Sequence, residues 1–281
     1  MRLQNYWKNK VILITGGSSG IGLAAAKLLA ASGAHVWLAA RRQNLLEAAR
    51  HQVDESRRDT AQPCGIVATD VSDPGQAAEA VKRVEQQAGR LDVLINSAGI
   101  TMPGYVQDLP LEEFQKQVAV NYLGTVYVTK AALPGMIARR AGHVINISSM
   151  AGFLGVFGYS AYGATKFAVT GFSEVLRAEM KPHGIRVSVA FPPDTDTPQL
   201  AFEAPYKPAE TKAISGTAKA LQAEQVATAI LEQAARGRFM LFPGFDSWFF
   251  YVLSTKLPRG LVFAVLDQMA ASGRKKVAER P

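Results

Sequence analysis

Residues 11–22 read VILITGGSSGIG, an apolar run followed at once by a glycine-rich stretch. The apolar run predicts a short buried strand, and the glycines allow a tight turn into a helix. At the start of such a helix, backbone N–H groups can approach the pyrophosphate of a dinucleotide. The spacing G-x-x-x-G-x-G departs from the common G-x-G-x-x-G pattern, so a purely structural turn is the alternative. The position between strand and helix favours nucleotide binding. The expected contacts are Gly16, Ser18, Ser19, Gly20, Ile21 and Gly22.

Strand-like and helix-like stretches alternate along most of the chain. Short runs rich in Val and Ile lie at 11–15, 35–39, 65–69, 93–96, 143–148 and 186–191. Apolar residues repeating about every 3.6 positions predict helices at 20–32, 74–88, 111–139 and 160–181. This alternation predicts an α/β fold, with a doubly wound, Rossmann-like parallel sheet flanked by helices on both faces.

The chain is expected to have two parts. Residues 1–245 are predicted to form a single Rossmann-like domain, and residues 246–281 a helical tail of apolar and basic side chains. Within the domain, residues 192–220 contain five prolines and interrupt the alternating pattern. Long excursions of this kind in a compact domain are usually functional, so we expect a substrate loop or lid there.

Composition excludes several classes of protein. Of the 281 residues, 48% are hydrophobic and 19% charged, the balance of a globular chain with a sizeable core. Cys64 is the single cysteine, which excludes an intrachain disulfide and a cysteine metal site. The four histidines lack the spacing of metal ligands, so no metal is expected. The first ten residues contain no secretory signal, which favours a reducing, cytoplasmic compartment.

The formal net charge is +8, and half of this excess lies in residues 247–281, which hold six basic and two acidic side chains. A local excess of this kind favours an anionic surface over nucleic acid as a partner. The longest uncharged run near Trp248 has nine residues. This is far short of the roughly 20 that span a membrane. The tail therefore either lies on a membrane surface, with Arg274, Lys275 and Lys276 at the headgroups, or covers the substrate pocket or a subunit interface.

The end of the second predicted strand bears on the choice of cofactor. NAD sites usually carry an acidic residue about 20 residues after the glycine motif, which binds the ribose 2′-hydroxyl. Here the strand ends in Arg41 and Arg42, and the first acidic residue after them is Glu47. Two guanidinium groups suit a 2′-phosphate, because they bind it through charge-assisted, forked hydrogen bonds. A solvated helix start is the alternative, but basic side chains are unfavourable there. We therefore predict NADPH.

Tyr162 and Lys166 are four positions apart and would share one face of a helix. A free tyrosine has a pKa of about 10 and exchanges protons poorly at neutral pH. A nearby lysine cation, together with the charge of an oxidised nicotinamide, stabilises the phenolate and lowers that pKa. Tyr162 can then protonate a carbonyl oxygen. Because this spacing is common on ordinary helices, the prediction depends on its combination with the other motifs.

Ser148 and Ser149 end the fifth predicted strand. In α/β sheets the carboxyl ends of the strands face the ligand crevice, where a serine hydroxyl can donate a hydrogen bond to a substrate oxygen. The alternative role, a cap on the following loop, suits Ser148 better than Ser149.

Asn96, Ala98 and Gly99 follow the fourth predicted strand, where small side chains would admit the cofactor. Asn121 lies inside the predicted helix 111–139, and an amide in an apolar helix is costly unless it has partners. We interpret Asn121 as the holder of a water molecule that relays protons from Lys166.

Together these motifs resemble the short-chain dehydrogenase/reductase family over nearly all of residues 8–245. T-G-G-S-S-G-I-G, N-S-A-G, N-Y-L-G, I-S-S and Y-G-A-T-K occur in the family's order and spacing. The resemblance implies an oxidoreductase, with Arg41 at the position that selects NADPH, that assembles as a dimer or tetramer. The catalytic residues that it implies are Asn121, Ser149, Tyr162 and Lys166. It extends the cofactor site to Asp70, Val71, Tyr162, Lys166, Pro192, Thr195 and Thr197.

One departure from the family's usual sequence indicates which branch of the family the chain resembles. The family usually reads Pro-Gly after the sixth strand, whereas here residues 191–198 read FPPDTDTP and residues 207–215 read KPAETKAIS. Both stretches are similar to the branch that reduces 3-ketodihydrosphingosine in sphingolipid biosynthesis. This implies a small lipid substrate whose ketone contacts Ser149 and Tyr162 and whose cationic amine pairs with Asp194. A cap on the turn after Pro193 is the alternative role for Asp194.

Two other functions stay open at this point. The same residues would also reduce another lipophilic carbonyl, such as a steroid, a retinoid or a 3-oxoacyl thioester. A non-catalytic NADP sensor on the same fold typically lacks the catalytic residues, so the presence of Tyr162 and Lys166 argues against it.

Overall fold

In the computed structural model, residues 3–215 and 219–278 are described. Three residues of the predicted loop 192–220 and the last three of the predicted tail therefore lie outside the described residues. The strands are β1 (Val11–Thr15), β2 (His35–Ala40), β3 (Cys64–Ala68), β4 (Val93–Asn96), β5 (Gly142–Ile147), β6 (Ile185–Ala190), β7 (Thr195–Asp196), β8 (Leu221–Gln222) and β9 (Met240–Leu241). Seven of them form one sheet, in the order β3-β2-β1-β4-β5-β6-β9, and β7 pairs with β8. Every pair is parallel.

Helices cover both faces of the sheet. They are α1 (Leu3–Trp7), α2 (Gly20–Ala31), α3 (Gln43–Glu55), α4 (Pro74–Ala88), α5 (Leu111–Gln117), α6 (Gly124–Arg139), α7 (Ser160–Met180), α8 (Pro198–Glu203), α9 (Ala209–Ser215), α10 (Ala223–Ala235), α11 (Phe245–Lys256) and α12 (Arg259–Ala278). Alternate residues of each strand face opposite sides. Ile12 and Ile14 pack with α2, α3 and α10, whereas Val11 and Leu13 pack with α4, α6 and α7. The predicted doubly wound α/β sheet is confirmed.

The strand order indicates which end of the sheet forms a crevice for a ligand. From β1 the chain moves outward to β2 and β3, and it then returns to the other side of β1 with β4, β5 and β6. Loops that leave neighbouring strands in opposite directions open a crevice at the carboxyl ends of those strands. Here the reversal falls between β1 and β4, where Thr15 and Asn96 are register partners.

The predicted helix 111–139 is continuous in the structure, but its middle part is not α-helical. A π-helical segment, Val118–Leu123, separates α5 from α6 and contains Asn121 near its centre. Such segments carry an extra residue in the helical turn, and they occur frequently at functional sites. The amide of Asn121 bonds the backbone of Ile100, a tertiary contact that periodicity does not reveal. Strand β9 was not predicted either, because two residues leave no recognisable pattern.

The two tail helices pack onto the body of the protein. Val262 and Leu266 of α12 and Phe250 of α11 join an apolar cluster with Phe153 and Phe191. Helix α12 crosses α9 so closely that a Cβ atom on Gly273 would lie 2.6 Å from the carbonyl oxygen of Ala209. Within the two described ranges, no helix is both long and apolar enough to cross a membrane.

Candidate active site

A cavity of about 380 Å³ opens at the carboxyl ends of β1, β2, β4 and β5. This volume is in the range of small-molecule sites. Its lining combines the glycine loop with residues from 192–203 and from both tail helices. The predicted site residues in the lining are Gly16, Ser18, Ser19, Gly20, Ile21, Arg41, Arg42, Asp70, Val71, Ala98, Gly99, Ser149, Tyr162, Lys166, Pro192, Asp194, Thr195 and Thr197.

Three predicted site residues lie behind this lining. Asn96 is buried, and its Nδ2 donates to Thr129 Oγ1 and to Asn146 Oδ1, both at 2.9 Å. Its amide therefore braces the sheet from behind the cavity, and the predicted place of Asn96 in the cofactor site stays a prediction. Gly22 packs α2 against the glycine loop, because a Cβ atom there would lie 2.5 Å from the Gly16 oxygen. Asn121, described below, is the third.

The glycine loop has the close backbone contacts that a dinucleotide site requires. Gly16 has a φ of +67°, and a Cβ atom on it would lie 2.8 Å from the backbone of Ala98. Gly20 has a φ of +54°, and a Cβ atom there would lie 3.1 Å from the Thr197 side chain. A side chain at either position would fill space beside the start of α2, where backbone N–H groups favour phosphate. The residues present therefore fit a dinucleotide.

Arg41 and Arg42 are exposed residues at the edge of the cavity, between the end of β2 and the start of α3. Asp70 and Val71 line the same part of the cavity from the end of β3. The arrangement leaves two guanidinium groups accessible to a ligand at this edge of the cavity.

Tyr162 and Lys166 project from the first two turns of α7 towards the ends of β5 and β6. Lys166 is 5% exposed, and its Nζ donates to the Ile147 carbonyl oxygen at 2.9 Å. This Nζ also lies 5.5 Å from the centroid of the Tyr162 ring. The phenol of Tyr162 forms hydrogen bonds with Ser149 and with Gln199 of α8. Tyr162 thus lies between β5 and the segment that follows β6.

Burial dominates the electrostatics of this pair. It raises the pKa of Tyr162, a shift that the hydrogen bond with Ser149 partly offsets. The surroundings of the phenol therefore disfavour its charged form, and the lowering of the pKa predicted for a bound oxidised nicotinamide stays a prediction. Burial also lowers the pKa of Lys166 to about 8. Tyr162 is therefore a neutral phenol, the form that can donate a proton.

The two serines have different surroundings. Ser148 is buried, and its Oγ donates to the Lys166 carbonyl oxygen at 3.0 Å and contacts Thr170 Oγ1 at 3.1 Å. Ser149 is partly exposed in the cavity, where its Oγ accepts a hydrogen bond from the backbone N–H of Ala151 at 3.1 Å. Only Ser149 is therefore available to a substrate.

Asn121 supports the site from behind. Its Oδ1 accepts from the N–H of Ile100 at 2.8 Å, and its Nδ2 donates to the Ile100 oxygen at 2.9 Å and to Thr165 Oγ1 at 3.0 Å. Asn121 Oδ1 and Lys166 Nζ both lie near Gly99, at 3.5 and 3.6 Å from the place where its Cβ atom would be. The amide therefore ties the loop after β4 to helix α7, and the predicted water relay stays a prediction.

Sequence reasoning missed a buried polar cluster beside Tyr162. Lys207 Nζ lies 2.9 Å from Glu203 Oε1 and 3.6 Å from Asp194 Oδ2. Tyr159 donates from its hydroxyl to Glu203 Oε1 at 2.8 Å, and its ring centroid lies 5.6 Å from that of Tyr162. The spacing of four between Glu203 and Lys207 was visible in the sequence, but such pairs are common and only the fold shows their burial.

Comparison with known proteins identifies the family. Residues 10–205 match the short chain dehydrogenase family. The chain belongs to this family. As a member, it is an oxidoreductase with a nicotinamide cofactor and a small-molecule substrate.

Several relatives of the short-chain dehydrogenase are reductases of one kind. The chain is 40% identical to 3-ketodihydrosphingosine reductase of Bos taurus over 87% of this chain and 73% of the relative. It is 40% identical to 3-dehydrosphinganine reductase of Danio rerio, over 86% of this chain and 74% of the relative. Among solved structures, levodione reductase superposes with a TM-score of 0.78 and 26% identity, covering 89% of this chain and 99% of that one.

Proposed function

We propose that this short-chain dehydrogenase reduces 3-ketodihydrosphingosine to dihydrosphingosine with NADPH. The observation that carries the proposal is one cavity in which Tyr162 and Ser149 face two carboxylates, Asp194 and Glu203, beside the apolar side chains of Phe250 and Leu266. A ketone, a neighbouring amine and a hydrocarbon chain are the three groups that such a cavity suits. Relatives that share 40% of their residues with the chain bear the name of this activity.

The proposed chemistry combines hydride and proton transfer. The bound nicotinamide cofactor supplies a hydride to the ketone carbon. Tyr162 donates its phenolic proton to the ketone oxygen, and Ser149 donates a hydrogen bond to the same oxygen. The Lys166 ammonium stabilises the phenolate that this transfer leaves, at 5.5 Å between Nζ and the ring centroid. The bond formed at carbon and the proton gained at oxygen together convert the ketone to an alcohol.

Arg41 and Arg42 support NADPH over NADH. Both are exposed at the cavity edge beside Asp70 and Val71, where the adenosine end of the cofactor is expected. Their guanidinium groups would bind the 2′-phosphate, an anion that NADH lacks.

Residues 192–215 act in this proposal as the substrate loop. They supply Asp194, Gln199 and Glu203 to the cavity wall. The structure pairs Asp194 with Lys207, whereas the sequence suggested a turn cap as its alternative role. Because the cluster holds two carboxylates and one ammonium, it has capacity for one further cation, such as the amine of the substrate.

The deciding experiment is an assay of purified protein with 3-ketodihydrosphingosine and NADPH. We expect oxidation of NADPH that depends on the substrate and is slower with NADH. Steroid, retinoid and 3-oxoacyl thioester ketones serve as competitors. Equal or faster reduction of one of these would contradict the proposed substrate while leaving the oxidoreductase assignment intact.

We also propose that copies of the chain associate. Leu111 and Val118 near α5, and Val175 of the adjacent α7, are apolar side chains with 73%, 41% and 58% exposure. Exposed apolar patches of this kind favour a subunit contact. The expected outcome in light scattering is the mass of a dimer or tetramer, and a monomer at assay concentration would contradict it.

We propose that the protein lies in the cytoplasm and that its helix α11 contacts the surface of a membrane. Phe245, Trp248 and Phe249 are 69%, 48% and 42% exposed, and Lys256 and Arg259 follow them at the junction with α12. Arg274 is 64% exposed and also pairs with the buried Glu210 at 3.6 Å, so its predicted contact with headgroups stays a prediction. Phe250 lines the cavity. Trp248→Ser should weaken co-sedimentation with anionic vesicles, and unchanged co-sedimentation would contradict the role of α11.

A further inference from the structure

A second cavity adjoins the active-site cavity and plays no part in the proposed chemistry. We call it the alkyl groove. It has a volume of about 530 Å³ and lies between the loop before α7, the first turns of α7, and α12. Small residues in its lining, Gly155, Gly163 and Ala164, leave room for a ligand close to the backbone.

The alkyl groove and the active-site cavity share part of their walls. Val156, Tyr159, Ile214 and Leu266 line both. The ring of Tyr159 lies 5.6 Å from the ring of Tyr162, centroid to centroid. A ligand with its ketone at Tyr162 would therefore reach the alkyl groove past the side chains that the two cavities share.

Apart from Ser160, Asp267 and the hydroxyl of Tyr159, the lining of the groove is apolar and suits a hydrocarbon. Phe157, Phe167 and Phe263 line it, with 36%, 40% and 52% of their surface exposed. The hydroxyl of Tyr159 is already bonded to Glu203. Three large apolar side chains left in solvent around one groove are unusual, and such patches mark binding sites.

We infer that the alkyl groove binds the hydrocarbon chain of the substrate and sets the preference of the enzyme for chain length. The inference rests on the proposed function. With the ketone at Tyr162 and the amine at the Asp194–Glu203 cluster, the chain would leave the active-site cavity beside Leu266 and run along α7. Helix α12, held to α9 by Gly273 and by the Arg274–Glu210 pair, forms the opposite wall.

The test is a series of 2-amino-3-ketones that differ only in chain length, assayed on the full protein. Burial of one methylene corresponds to about a fourfold gain in kcat/KM, so activity should rise with length until the groove is filled. Ala164 is an exposed residue in the groove, so Ala164→Trp should obstruct the groove without entering the protein core. Val265→Trp is the matched control, because Val265 lies on α12, is 53% exposed and is outside the lining of both cavities.

We expect Ala164→Trp to leave the shortest ketone within about twofold of the unmodified protein and to lose at least tenfold on the longest one. The fourfold step per methylene should disappear in this variant and persist in Val265→Trp. An unchanged length dependence in Ala164→Trp would overturn the inference and place the chain elsewhere. Equal losses on all lengths, with a reduced molecular mass in light scattering, would also overturn it and identify the groove as a contact between copies. If the unmodified protein reduces none of the amino ketones, the proposed function itself fails.

Discussion

The nucleotide side and the substrate side of the active-site cavity are held by different kinds of contact. On the nucleotide side, a Cβ atom on Gly16 would lie 2.8 Å from the Ala98 backbone, and one on Gly22 would lie 2.5 Å from the Gly16 oxygen. On the substrate side, ion pairs join Lys207 to Glu203 at 2.9 Å and to Asp194 at 3.6 Å. Close backbone packing holds the nucleotide side in place, whereas ion pairs between charged side chains hold the substrate side.

This difference suggests how one fold serves many substrates. Backbone packed so closely that a Cβ atom would lie within 3 Å of its neighbours permits a single arrangement, which suits a cofactor that does not vary. Ion pairs can exchange partners when a charged ligand arrives, so a wall made of them adapts to what it binds. Selection of the substrate should therefore depend on residues 192–215 more than on the glycine loop.

Tyr162 lies where the two sides meet, and its removal should have the largest effect. We expect Tyr162→Phe to lower turnover by about 10²–10⁴, the usual contribution of a positioned acid. Cofactor affinity should hardly change, because the ring and its packing remain. Single-turnover rates and the fluorescence of bound NADPH measure the two quantities separately.

The neighbouring serines supply the control for this variant. Ser149→Ala should also reduce turnover strongly, while Ser148→Ala should be milder because Ser148 bonds only α7. Near-normal turnover in Tyr162→Phe would eliminate the proposed proton donor. A larger loss in Ser148→Ala than in Ser149→Ala would reverse the roles of the pair.

On the nucleotide side, Arg41→Ala should weaken NADPH binding by about one to two decades and leave NADH binding nearly unchanged. The lost interaction is a charged hydrogen bond to the 2′-phosphate, worth about 1.5–3 kcal/mol. Titration of both cofactors by fluorescence measures the change. The double variant with Arg42→Ala should show a larger difference, since both guanidinium groups reach the same edge of the cavity. Equal losses for both cofactors would mean that Arg41 only supports the fold.

On the substrate side, Asp194→Asn should have the smallest effect on activity. Its side chain is 41% exposed, and an ion pair at such a site contributes up to about 1 kcal/mol, or roughly fivefold. We expect kcat/KM to fall by that factor for the amino ketone and to stay constant for an analogue without the amine. Matching losses on the two substrates would leave Asp194 a structural role only.

Glu203→Gln tests the role of the same cluster through the thermal stability of the protein. Glu203 and Lys207 are both 7% exposed, and breaking a buried pair costs about 3–5 kcal/mol when one charge loses its partner. Lys207 would keep Asp194 at 3.6 Å, so we expect a smaller cost than this, but a larger one than for Asp194→Asn, because Asp194 is 41% exposed. Thermal unfolding should therefore detect Glu203→Gln and hardly detect Asp194→Asn. Equal melting temperatures for the two variants would contradict the distinction between them.

The sheet and most of the nucleotide side were accessible from the sequence, because their signals are local. The run 11–22 places a strand, a turn and a helix within twelve consecutive residues. The predicted strands at 11–15 and 93–96 agree with β1 and β4 at both ends. Each of these elements is defined by its own apolar pattern, which does not depend on distant partners.

The substrate side was less accessible because its signals are tertiary. Glu203, Lys207 and Tyr159 read as ordinary surface residues until the fold buries them together. The π-helical segment contains Asn121, whose amide bonds Ile100 at a distance of 21 positions along the chain. Asn96 is a related case, since its place at a strand end does not reveal that its amide bonds Thr129 and Asn146.

The strand order also affects how the protein folds and melts. The lining of the cavity extends from Gly16 to Met269, so a fragment must span nearly the whole chain to contain it. Parallel pairing of distant strands is slow to form, and the cofactor can bind only after β1 and β4 have met. A ligand that binds the native state alone adds about 2.7 kcal/mol at a concentration 100 times its Kd. Because that gain belongs to the assembled sheet as a whole, bound cofactor should slow hydrogen exchange across the most protected amides of every strand, including those far from the crevice.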